Sequence, residues 1–251
     1  MSKERKFDYS QFPPGFYHDV VERGNPVRAA WHLQKFRRVI SCLPDRPGQS
    51  ILDIGCFAGT FLSMLGSTRF SKQVGIDILP AQIDYAMSRF GTDYRQFQKV
   101  LSVSAIDFPK GYFDCVTLIE VIEHLEKQEA GIILEKISAV TKPGGKLILT
   151  TPNYASAWPA IELLINRFSD VSYKEQHVTK FNFFTAVKKI ATLNPDFPRH
   201  FKVDFVTTTH ALAPFLAVFS RRLSDQASAA IDHKYWRFPF GNLILMSFTR
   251  L

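Results

Sequence analysis

The sequence predicts a doubly wound α/β fold on a mostly parallel sheet of seven strands, with an N-terminal helical extension and C-terminal insertions. Three observations carry this. From residue 50 onward, short apolar runs alternate with amphipathic stretches, the pattern of successive βαβ units. The segment ILDIGCFAGTFL, residues 51–62, reads as a strand ending near an acid, a turn through Gly55 and Gly59, and an apolar helix start. Lys142, Pro143, Gly144 and Gly145 then mark a switch from helix to strand.

Taken in order, the polar start is expected to be irregular. Residues 26–43 read as a helix, with Pro26 in its first turn and Ala30, Leu33, Phe36 and Ile40 at helical spacing. Strands are expected at 50–54, 73–77, 94–98, 113–119 and 145–150, with helices at 58–65, 80–90 and 126–141 between them. The last hundred residues depart from regular alternation. Helices at 158–168 and 185–193 and strands at 201–208 and 243–249 are expected there, with an insertion rich in Ala, Phe and Arg between the two strands.

At 251 residues the chain suits one large core. Its net charge of +8 admits a nucleic acid, an anionic surface or an anionic small molecule as partner. The basic residues are spread thinly, in groups such as Lys3, Arg5 and Lys6, then Lys35, Arg37 and Arg38, then Arg221 and Arg222. None reaches the length of a basic arm, so most are expected to be solvated surface, and nucleic acid is not the expected partner. Cys42, Cys56 and Cys115 are isolated from one another, which suits reduced thiols and a cytoplasmic setting. The N-terminus lacks a hydrophobic signal core, and no apolar stretch approaches the ~20 residues of a membrane crossing.

In the loop, Gly55 lets the backbone turn and approach a ligand, and Gly59 lets the following helix pack near the strand. Asp77 ends the next strand, eighteen residues beyond Gly59, a spacing that suits a carboxylate gripping ribose hydroxyls. On these residues, together with FDCVTLIEVIEHL (113–125) and KPGGKLILTTPN (142–153), the chain resembles the class I S-adenosylmethionine (SAM)-dependent methyltransferases. Within them it is similar to the small-molecule O-methyltransferase branch of the ubiquinone pathway. Their first motif reads Asp-x-Gly-x-Gly-x-Gly, and here Phe57 replaces the middle glycine. That departure argues against a dinucleotide, because a pyrophosphate needs bare backbone at this point.

The resemblance implies a Rossmann-like methyltransferase fold, with SAM as cofactor and S-adenosylhomocysteine as product. It assigns Gly55, Cys56, Phe57 and Gly59 to the methionine part and Asp77 to the ribose, with Asp53 and Ile78 also among the cofactor-binding residues. Ser102 and Val103 fall near the adenine, with Ser102 standing where the family commonly has an acid. Ile119 and Glu120 fall at the cleft edge. Residues 1–48 are expected to form a helical extension that closes over the cofactor through Tyr17, with Arg28, Trp31 and His32 nearby. Residues 49–251 form the SAM-binding domain, with substrate-side insertions at about 153–185 and 209–242.

Methyl transfer needs an aligned nucleophile, a dry pocket and, for a weakly acidic hydroxyl, a base. His124, after the fourth strand, and His177, in YKEQHVTKFNFF, are the candidate bases. Glu120, Glu123, His124 and His177 also form a candidate set for a divalent metal. The set resembles the Glu-x-x-Glu-His with a later His of small-RNA terminal 2′-O-methyltransferases, and the similar motif of the ubiquinone-pathway enzymes. The favoured reading is metal-free, with EVIEHL closing a strand and opening the next helix.

Phe181, Phe183 and Phe184 are candidates for core or pocket wall. Tyr235, Trp236, Arg237 and Phe238 are candidates for pocket closure or a homodimer contact. The expected activity is O-methylation of a small-molecule substrate, whether metabolite, phenol, glycan or natural product. The rivals are an RNA 2′-O-methyltransferase with a divalent metal and a non-catalytic SAM-binding scaffold.

Overall fold

A computed structural model describes residues 12–168, 176–211, 213–231 and 238–251. Helices α1 (Phe16–Arg23) and α2 (Pro26–Cys42) precede the sheet. The alternating part runs β1 (Gln49–Ile54), α3 (Thr60–Ser63), β2 (Phe70–Asp77), α4 (Pro80–Phe90), β3 (Arg95–Lys99), β4 (Phe113–Ile119), α5 (Lys127–Val140) and β5 (Thr141–Pro152). The last third holds α6 (Trp158–Phe168), α7 (Ala186–Leu193), α8 (Phe197–His200), β6 (Phe201–Thr209), α9 (Ala213–Ala217), α10 (Arg221–Ile231) and β7 (Leu243–Arg250). The seven strands lie in the order β3-β2-β1-β4-β5-β7-β6. All neighbours are parallel except β7, which runs antiparallel to both β5 and β6. This is the doubly wound, mostly parallel sheet that the alternation predicts.

Burial on both faces explains the near-continuous apolar strands. Every residue from Ser50 to Ile54 in β1 is buried. Helix α5 turns Ala130, Ile133, Leu134 and Ile137 onto the sheet at helical spacing, and a reciprocal capping box between Glu126 and Glu129 starts it.

Several expectations shift. The irregular start contains α1, an eight-residue helix too short to show strong periodicity. It is held from outside: Gly15 N donates to Gln82 Oε1, and Gln82 Nε2 donates to the carbonyls of Phe12 and Pro13. The helix expected at 58–65 shrinks to α3 because Met64 and Leu65 bond to carbonyls three residues back, tightening the last turn. Strand β5 begins at Thr141, opposite Phe113, and a register shift between Phe113 and Cys115 absorbs the glycines before pairing resumes at Lys146. The insertion between β6 and β7 contains α9 and α10. Lys35 and Arg38 are buried, not solvated, because α2 packs that face against the body of the protein. Residues Lys3, Arg5, Lys6, Tyr235, Trp236 and Arg237 lie outside the described residues.

Candidate active site

A cavity of about 1420 Å³ opens at the carboxyl ends of β1, β2 and β4, where doubly wound sheets bind ligands. One end is the glycine loop. Gly55 N and Cys56 N both donate to the Ile76 carbonyl at 2.8 and 3.0 Å, tying the loop to β2. Gly55 has φ +76°, and a Cβ there would lie 2.4 Å from Val121 Cγ2, so both conformation and space require glycine. Phe57 also adopts a left-handed conformation, with φ +47°. Its N–H donates to Asp77 Oδ2 at 2.8 Å, while Leu79 N–H donates to Asp77 Oδ1 at 3.0 Å. The carboxylate that ends β2 therefore locks the loop from below.

Asp53 and Asp77 are both buried in this wall. Burial pushes the Asp53 carboxyl up to about 7, against the Thr117 hydroxyl that donates to it at 2.7 Å, and burial also raises Asp77. Two buried acids short of positive charge suit a ligand that brings a cation and hydroxyl groups, as the sulfonium and ribose of SAM do.

Ile78, Ser102, Val103, Ile119, Glu120 and Tyr17 line the same cavity. Gly59 stands behind the wall: with φ +73° it starts α3, and a Cβ there would meet the Phe97 ring at 2.6 Å. The Tyr17 ring packs on Phe57 and His32, with centroids 4.8 and 4.9 Å apart, so α1 and α2 cover the loop. Glu120 carries φ +51° and forms a part-buried ion pair with Lys35 of α2. Burial would raise the Glu120 carboxyl, but the Lys35 ammonium overrides it and holds it down at about 2. Burial, with Lys35 adding to it, pushes His32 down to about 3, so that ring is neutral at pH 7.

The far end is built from the turn after β4 and from residues beyond β5. Potential ligand atoms of Glu123, His124 and His177 lie within 4.8 Å of one another. The Glu123 side chain is 1% exposed, and its carboxyl oxygens have no hydrogen-bond partner among the described residues. Burial and the charge of Glu120 push it well above the usual carboxylate range. His124 Nδ1 lies 2.9 Å from the Gln176 carbonyl, which can only accept, so this nitrogen carries the proton. Burial and the neighbouring His177 push His124 down to about 4; burial, outweighing Glu120, does the same to His177. Glu120 faces Lys35, so the four-residue set of the sequence divides into an ion pair and a three-residue cluster.

Four residues near the cavity went unread in the sequence. Lys35 was grouped with surface charge, although its spacing from Arg28 and His32 places all three on one side of α2. Trp158 sits in the wall beside Trp31, with ring centroids 5.3 Å apart. Tyr154 and Glu162 bind His177 from behind. No periodic or motif signal marks either. Of the aromatic candidates, Phe181 is core, while Phe184 is exposed and touches Phe240.

A family profile described as a methyltransferase domain matches residues 29–190. The chain belongs to this family: it is a class I methyltransferase, the group that takes its methyl from SAM. A protein named ubiquinone biosynthesis O-methyltransferase, from Bradyrhizobium diazoefficiens, is 32% identical over 157 residues, which is 58% of this chain and 57% of the relative. The match thus spans little more than half of that relative's length. Among solved structures, a SAM-dependent methyltransferase from Mesorhizobium loti superposes with a TM-score of 0.60 at 14% identity, covering 86% of this chain and 98% of the other. The N-methyltransferase NodS from Bradyrhizobium japonicum WM9, in complex with S-adenosylhomocysteine, gives 0.56 at 15% identity, covering 93% and 98%. No helix among the described residues is long and apolar enough to cross a membrane.

Proposed function

We propose that the protein transfers the methyl group of SAM to a hydroxyl oxygen of a small molecule seated against His124 and His177. One observation carries this: a single cavity runs from the Gly55 loop and Asp77 to the two imidazoles. The name of the Bradyrhizobium relative supports oxygen as the acceptor atom. When bound, SAM supplies a methyl on a sulfonium whose departure leaves a neutral thioether. The new C–O bond forms as the C–S bond breaks, and the hydroxyl proton passes to an imidazole Nε2. Both rings are neutral at pH 7, and although a pKa near 4 makes them weak bases, the hydroxyl becomes acidic enough to pass its proton to one as the C–O bond forms. In this reading helices α1 and α2 close the cofactor end through Tyr17 and Lys35, and the described parts of the segments near 153–185 and 209–242 select the acceptor. Incubation with methyl-labelled SAM and a panel of catechols and other phenols tests it: label should appear in an ether product, and His124→Gln with His177→Gln should abolish it. Transfer only to nitrogen acceptors, or full activity in the double variant, would overturn it.

The Glu123 carboxyl favours a second reading, in which Glu123, His124 and His177 hold a divalent cation that binds the acceptor hydroxyl. A buried carboxyl with no hydrogen-bond partner among the described residues, beside two imidazoles, fits such a cation. The cation would lower the pKa of the hydroxyl and make a base less important. Activity lost in chelator and restored by an added divalent metal supports this form; unchanged activity in a protein shown to be metal-free removes it.

A further inference from the structure

Tyr154 and Glu162 converge on one atom of the acceptor end. His177 Nδ1 lies 2.9 Å from the Tyr154 hydroxyl and 3.0 Å from Glu162 Oε1. The same hydroxyl lies 3.0 Å from Glu162 Oε2 and 3.2 Å from Oε1, closing a three-membered cluster. The His177 and Glu162 side chains are 4% and 14% exposed, so water has little access to these contacts. Both partners are anchored. Tyr154 N–H donates to the Phe181 carbonyl at 2.8 Å, and Glu162 lies one turn into α6.

The protons can be placed by elimination. The Tyr154 hydroxyl donates to Glu162 Oε2 at 3.0 Å. Glu162 takes the Tyr154 hydroxyl on Oε2 and faces the imidazole with Oε1, the arrangement of a carboxylate that only accepts. Oε1 and Nδ1 face each other at 3.0 Å, and two lone pairs at that distance repel unless a proton lies between them. With the phenol proton spent on Oε2, that proton is the imidazole's own.

We propose that Glu162, steadied by Tyr154, is a positioning residue that holds His177 as the Nδ1–H tautomer and leaves Nε2 as the atom that takes a proton or binds a cation. This rests on the reading of His177 as a working imidazole given above. A carboxylate behind a histidine fixes both tautomer and ring orientation, and it stabilises positive charge on the ring. The two histidines are then matched: the Gln176 carbonyl sets His124 in the same tautomer, so each ring keeps Nδ1 for the scaffold.

The test is nitrogen NMR of histidine-labelled full-length protein, with the His177 signals assigned by their loss in His177→Gln. In the wild type the proton should sit on Nδ1. In Glu162→Gln an amide N–H can turn toward Nδ1, so the Nε2–H form should grow, kcat should fall roughly 10–100-fold, and SAM affinity should hold. Tyr154→Phe should keep the wild-type tautomer with a smaller loss of kcat. A wild-type His177 protonated on Nε2, a tautomer balance unchanged in Glu162→Gln, or a shifted balance with full kcat would each overturn the proposal. The tautomer is read without turnover, so a protein that failed to methylate any hydroxyl would refute the proposed reaction and leave this measurement decisive for Glu162.

Discussion

The two ends of the cavity are built on different principles. The cofactor end is largely backbone: Gly55, Cys56, Phe57 and Leu79 contribute N–H groups, and their partners are the Ile76 carbonyl and one carboxylate, Asp77. The acceptor end is side chains, drawn from the turn after β4, from the segment after β5 and from the start of α6. A backbone site demands particular residues at fixed spacing, because only glycine tolerates the required turn. A side-chain site is assembled by tertiary packing, and its members can be far apart in sequence. Substitutions at the first end should therefore act through fold and cofactor binding together, and those at the second through turnover.

The largest effect is expected at Gly55. Gly55→Val combines a left-handed backbone with a β-carbon placed 2.4 Å from Val121, and strain and overpacking together should cost roughly 2–6 kcal/mol. Denaturant melts should show the loss, and SAM binding should be undetectable by calorimetry. A stable variant with normal SAM affinity would break the claim that the cofactor end is fixed by its backbone.

Lys35 comes next, since it joins the N-terminal helices to the cavity wall. Lys35→Met leaves the partly buried Glu120 carboxylate without its cation, at a cost of about 1–3 kcal/mol, below that of a fully buried pair. Lys35→Met with Glu120→Gln removes both charges and should recover most of the stability. Chemical denaturation of the single and double variants checks this, and equal instability of both would show that Lys35 matters through packing alone.

The difference between the ends also explains what was legible in the sequence. The strand alternation, the turn at Gly55 and the acid at Asp77 are local patterns, and the mostly parallel sheet follows from them, whereas the placement of β7 between β5 and β6 does not. His124 and His177 were joined in one set only through the family resemblance, since nothing in their spacing brings them together. Tyr154 and Glu162 were invisible because nothing in their spacing marks a contact with residue 177. Lys35 was misread because an ammonium is normally solvated, and only the fold shows that α2 turns it inward onto Glu120. The start at residues 16–23 escaped because its helix depends on Gln82, far along the chain.

The smallest stability effect is expected at Glu123. Its carboxyl is buried, has no hydrogen-bond partner among the described residues and is pushed toward the neutral form, so Glu123→Gln replaces one neutral side chain by another of similar shape. The cost should be under about 1 kcal/mol. The same change removes a ligand atom from the candidate cation cluster. Unaltered kcat with unaltered stability would favour the metal-free reaction, and a large fall in kcat alone would sharpen the case for a cation.

The central claim is that the Gly55 loop and Asp77 form the SAM end of one cavity whose other end performs the transfer. Calorimetric titration of SAM into wild type, Asp77→Ala and His177→Gln tests it most directly. Loss of the carboxylate that locks Phe57 and Leu79, each charge-assisted bond contributing about 1.5–3 kcal/mol, should weaken SAM binding at least tenfold in Asp77→Ala. His177→Gln should bind SAM as the wild type does and lose turnover. Wild-type SAM affinity in Asp77→Ala, or loss of affinity in His177→Gln with Asp77→Ala unaffected, would contradict the account.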